Sequence, residues 1–103
     1  MSKHRYEIKM TVPIGIRKGV ITIDGDCGRI RGTLDILGHE QPFLGNIEND
    51  GSCEFFGDLV SLRQTIPYHA KGKILNEFIQ LEMYSERNIF YITGKEIMNE
   101  EIL

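Results

Sequence analysis

Glycine recurs at one fixed place in this chain, two residues after one apolar side chain and two before another. The pattern runs through Ile30-x-Gly32-x-Leu34, Phe43-x-Gly45-x-Ile47, Phe55-x-Gly57-x-Leu59 and Ala70-x-Gly72-x-Ile74, with Ile92-x-Gly94 as an incomplete copy. A period of two is the period of a β-strand, so each glycine shares a face with its apolar neighbours. Glycine inside a strand costs conformational entropy and has nothing to pack. Its repetition in successive segments needs a reason, and curvature supplies one. Where strands coil tightly about a common axis their concave sides crowd, and a position without a side chain relieves the crowding. The chain is thereby restricted to a sheet that curls with its apolar side inward.

The rest of the sequence fills in that sheet. Arg5 to Val12 alternates polar and apolar residues, as a strand with one wet face does. Further strands are expected over Lys18 to Asp24, Arg29 to Ile36, Glu40 to Glu48, Ser52 to Val60 and Thr65 to Ile74, then around Ile79 to Met83 and from Ile89 to Lys95. Turn residues separate them: Pro13-Ile14-Gly15, Asp24 to Gly28, Asn49-Asp50-Gly51, Leu75 to Phe78 and Ser85 to Asn88. Gly38-His39 reads as a two-residue turn that sets Leu34 opposite Phe43 and Gly32 opposite Gly45. A three-residue loop over Asn49-Asp50-Gly51 sets Ile47 opposite Cys53, Gly45 opposite Phe55 and Phe43 opposite Gly57. Each phenylalanine then covers a cross-strand glycine, a contact of the kind that contributes roughly 0.2 to 1 kcal/mol. The other face of the same hairpin sets Leu44 opposite Phe56. Lys95 to Leu103 is expected as a short helical turn. The fold class that follows is all-β: one antiparallel up-and-down meander of about eight strands, closed or nearly closed into a small barrel, forming a single domain over residues 1–103.

A meander of eight strands with glycines in mid-strand resembles the calycin-type barrels, lipocalin-like and streptavidin-like. The opening Pro13-Ile14-Gly15-x-x-x-Gly19 is similar to the start of some short bacterial domains. The Gly-x-Trp signature typical of lipocalins is missing, because the chain contains no tryptophan. No ligand residue is carried over from those families.

Charge and composition narrow the function mainly by exclusion. A net charge of −3 with an isoelectric point near 5.6 provides no footprint for nucleic acid, and the basic groups Lys3-His4-Arg5 and Arg17-Lys18 are diluted by carboxylates. No apolar run is long enough to span a bilayer and no signal-peptide core opens the chain, so a cytoplasmic, membrane-free protein is expected. Cys27 and Cys53 lack metal or redox spacing and read as reduced thiols, Cys53 in a core phase and Cys27 in a turn. His4, His39 and His69 are too scattered to specify a metal site, and His69 lies on the opposite strand face from Tyr68. Ser61 and Cys53 have no supporting context for nucleophilic chemistry, and the glycines from Gly25 to Gly32 match neither phosphate-binding motif. No catalytic activity, metal or cofactor is expected.

Two modes of binding remain. Leu44 and Phe56, extended by Val60 and Leu62, form an outward apolar patch suited to self-association as a homodimer, unless the tail residues Ile97, Met98, Ile102 and Leu103 cover it. Alternatively Phe43, Phe55, Tyr68, Met83 and Phe90 line a cavity for a small hydrophobic ligand, or simply fill the barrel. The first mode, a non-enzymatic binding or interaction domain, is the expected function. The second, a carrier or sensor of such a ligand, is its alternative.

Overall fold

The computed structural model describes residues 3–97. They form β1 (Lys3–Val12), β2 (Gly15–Asp26), β3 (Arg29–Ile36), β4 (His39–Ile47), β5 (Ser52–Val60), β6 (Thr65–Leu75), β7 (Phe78–Tyr84) and β8 (Ile89–Glu96). Each strand pairs antiparallel with the next, and β8 returns to β1, closing the barrel. Lys95 and Glu96 therefore continue β8 instead of starting a helical turn; Met98 to Leu103 lie outside the described residues.

Closure works because large and small side chains alternate across neighbouring strands. One inward row runs Ile23, Gly32, Phe43, Gly57, Tyr68 from β2 to β6. The next runs Ile30, Gly45, Phe55, Ala70, Met83, Phe90 from β3 to β8. A bulky residue leans over each glycine, as the taper of a small barrel requires. Gly45 shows how tight the fit is. A Cβ there would stand 2.0 Å from the Glu54 carbonyl oxygen and 2.5 Å from the Phe55 Cα, both backbone atoms that cannot yield.

One register differs from the sequence expectation. The turn between β3 and β4 is Leu37-Gly38, with φ of 58° and 82°, and it pairs Ile36 with His39. Positive φ at both central positions is the type I′ geometry, whose twist matches that of the flanking strands. Leu37 tolerates the left-handed conformation because its side chain packs against the core. Gly32 consequently faces Phe43 and Ile30 faces Gly45. The two-residue displacement preserves which face each side chain takes. It also places a glycine on both sides of Phe43. Cys27-Gly28 makes a second turn with positive φ at both residues, so β2 extends through Gly25 to Asp26, past the expected end at Asp24.

Prolines decide where two of the ladders stop. The β4–β5 ladder ends at Phe43 and Gly57, beside Pro42, and the β6–β7 ladder ends at His69 and Tyr84, two residues from Pro67. Proline has no N–H to donate, so pairing cannot continue through it on that side. The β3–β4 and β5–β6 hairpins accordingly separate from their neighbours toward their turns. The separation leaves an apolar mouth at that end of the barrel.

Candidate interaction surface

The outward face carries a strip that crosses strands instead of following one. Leu44 on β4 pairs with Phe56 on β5, Phe56 with His69 on β6, and His69 with Tyr84 on β7. Leu44 is 69% exposed and Phe56 54% exposed. The Phe56 and His69 rings stack with centroids 4.3 Å apart and planes 8° apart, and the Tyr84 ring lies 6.4 Å from His69. Nε2 of His69 is hydrogen-bonded to the Glu54 carboxylate, which holds the imidazole against Phe56. On β7 the Tyr84 hydroxyl donates to Glu82 over 2.5 Å, which raises the affinity of the phenol for its proton; beyond it Ile89 of β8, paired with Tyr84 and 48% exposed, continues the row. Phe56, His69 and Tyr84 are thus held by one another and by the two carboxylates before any partner arrives.

A row of polar residues runs beside it: Asn46, Glu54, Lys71 and Glu82, on the same four strands and paired in that order. On the other side stand Pro42, Asp58 and Pro67. Beyond Leu44 the surface dips into a depression of about 810 Å³, bordered by Arg29, Arg31, Asn46 and Phe56. Val60 shares the outward face of β5, half-buried, but Asp58 separates it from Phe56. Leu62 projects from the β5–β6 turn and is 97% exposed.

The side chains considered for a ligand cavity all face inward. Phe43, Phe55, Tyr68, Met83 and Phe90 are buried members of one core, with the Phe43 and Phe55 rings stacked at 4.2 Å and Tyr68 edge-on to Phe55. Among the described residues the buried Tyr68 hydroxyl finds no hydrogen-bond partner, and burial drives its pKa upward. Burial likewise pushes Tyr6 up to about 12 and the Cys53 thiol up to about 11. Phe90 also borders the apolar mouth, a depression of about 330 Å³ flanked by Met10, Val12, Leu37, Leu59 and Ile66. The opposite end is polar. There His4 Nδ1 and Glu96 Oε2 approach to 2.5 Å across the β1–β8 seam.

His69 and Tyr84 belong to the strip although the sequence reading did not place them there. The signal was available in the turn Ser61 to Gln64: a four-residue loop pairs Val60 with Thr65, and counting back sets Phe56 beside His69. Tyr68, its neighbour in sequence, faces the core. Among the described residues no group of three or more His, Cys, Asp or Glu is placed to hold a metal ion. No helix among them is long and apolar enough to cross a membrane. No known protein family, curated protein or solved structure matches the chain.

Proposed function

We propose that this chain is a non-enzymatic interaction domain on a calycin-type barrel, working in the cytoplasm, and that it binds a second copy of itself through Leu44, Phe56, His69 and Tyr84. The observation that carries this reading is the continuous exposure of Leu44 and Phe56 side by side, backed by the stacked imidazole of His69. Apolar surface gathered into one patch and bordered by polar groups is the usual form of a protein contact. The strip is small. Three strand spacings make it about 14 Å wide, so the contact falls in the class below about 1,200 Å² that associates transiently.

Sedimentation velocity from micromolar to millimolar protein tests the proposal. The chain sediments as a monomer when dilute and as a dimer when concentrated, while Phe56→Glu stays monomeric throughout with an unchanged melting temperature. A wild-type chain that remains monomeric at the highest concentration overturns the reading.

A second reading draws on the mouth. Its apolar volume of about 330 Å³ lies at the lower end of the roughly 300 to 1,000 Å³ typical of ligand pockets. A small hydrophobic ligand would rest there on Met10 and Phe90, above the packed interior. Saturable enhancement of an apolar fluorescent probe, lost in Ile66→Lys, is the outcome that supports it.

A further inference from the structure

The outer face of β4 to β7 is self-complementary about an axis parallel to the strands, and from its order of rings and charges the geometry points to a specific dimer. The inference rests on the self-association reading above. We infer that two copies pack face to face about a two-fold parallel to the strands, passing between β5 and β6. Such an axis leaves each cross-strand row at its own height and exchanges β5 with β6 and β4 with β7. Phe56 of each copy then meets the partner's His69, and Leu44 meets the partner's Tyr84. In the adjoining row Glu54 meets the partner's Lys71 twice, once on each side of the axis, and Asn46 meets the partner's Glu82.

Other placements fail on charge. A two-fold across the strands through Phe56 lays β5 on β5 in reverse and drives Glu54 against the partner's Asp58, two like charges. Shifted by one row, the same axis sets Glu54 on Glu54 and Lys71 on Lys71. Midway between the rows it presses Glu54 and Lys71 onto Phe56 and His69, desolvating charges against rings. An axis parallel to the strands but lying on β5 or on β6 superposes Glu54 or Lys71 on its own copy. Moved to the gap between β6 and β7, it matches Lys71 with Glu82 and lays Phe56 on the partner's Ile89, which is 48% exposed, yet it leaves Leu44, the most exposed member of the strip, uncovered.

Curvature favours the same choice. A barrel wall is convex, so contact is deepest near the axis, and the β5–β6 position puts the ring pair and the ion pair there. Parallel alignment of the two faces, offset by their twist to about 30°, is also a preferred way for sheets to pack.

Charge exchange tests the arrangement, with folding checked by circular dichroism; Glu54→Lys also removes the hydrogen bond that holds His69, so recovery on mixing, and not loss of the dimer alone, reads the arrangement. Glu54→Lys alone faces lysine with lysine, and Lys71→Glu alone faces glutamate with glutamate, so each variant is monomeric at concentrations where wild type is dimeric. Mixed one to one, the two variants pair with each other, because each then offers the other the opposite charge at both positions. The double variant E54K/K71E dimerises with itself. Three results overturn the inference while leaving self-association intact: a wild-type dimer with no recovery on mixing, single variants that still dimerise, or recovery on mixing Lys71→Glu with Glu82→Lys in its place. A monomeric wild type overturns both.

Discussion

Tyr68 and Gly57 share one small volume. A Cβ on Gly57 would fall 2.7 Å from the Tyr68 hydroxyl, which is buried and, among the described residues, unpartnered. An unmet buried hydroxyl costs on the order of 1 to 3 kcal/mol. Removing it as Tyr68→Phe keeps the ring that packs on Phe55, so this variant is expected to gain about 1 kcal/mol in urea unfolding. Glycines diverge for a related reason. At Gly45 the obstruction is backbone, and Gly45→Ala should lose about 3 kcal/mol or fail to fold, as overpacked cores do. Gly38 has φ of 82° but nothing within 4 Å, so Gly38→Ala carries only the strain of a left-handed residue, about 1 kcal/mol. Equal losses at the two sites would refute the crowding argument for the inward row.

Hairpins were the most legible elements in the sequence, because loop length fixes register when the turn residues are unambiguous. Asn49-Asp50-Gly51 is such a case. Gly51 takes a φ of 92°, Asp50 accepts a hydrogen bond from the Ser52 N–H, and Ile47 faces Cys53 as the loop length requires. The β3–β4 turn was harder, since nothing local tells Leu37 to adopt positive φ; the core contact that stabilises it comes from elsewhere in the chain. Face assignment survived because a displacement by two returns every side chain to its own side. The strip was less visible than the core for the same physical reason. Inward residues announce themselves by alternation along one strand, whereas Leu44, Phe56, His69 and Tyr84 become neighbours only through three separate registers. Pro42 and Pro67 carried a signal that alternation alone passes over, namely where strands must part.

For the whole molecule the interior sets the response to alkali. Tyr6 and Cys53 both sit in the core, where burial favours their neutral forms. Unfolding returns them to ordinary values of 10.0 and 9.0, so the unfolded chain releases protons first as pH rises. Stability from this source is complete below pH 9.0. It declines as pH climbs through the native values of about 11 for Cys53 and about 12 for Tyr6. Melting temperature should therefore fall with each step above that onset. Cys53→Ala, though lower at neutral pH, should fall less steeply until Tyr6 titrates. A melting temperature that stays level from neutral pH to beyond the native Cys53 value would contradict the burial of these groups.

The ladder that joins β8 back to β1 also limits what any assembly of this molecule can become. Among the described residues a wall knitted shut leaves little loose hem to which another chain could stitch itself, and two of its gaps lie beside prolines, which have no thread to offer. Copies meet mainly through their side chains, so growth by strand addition, the usual start of a fibre, is largely denied to them.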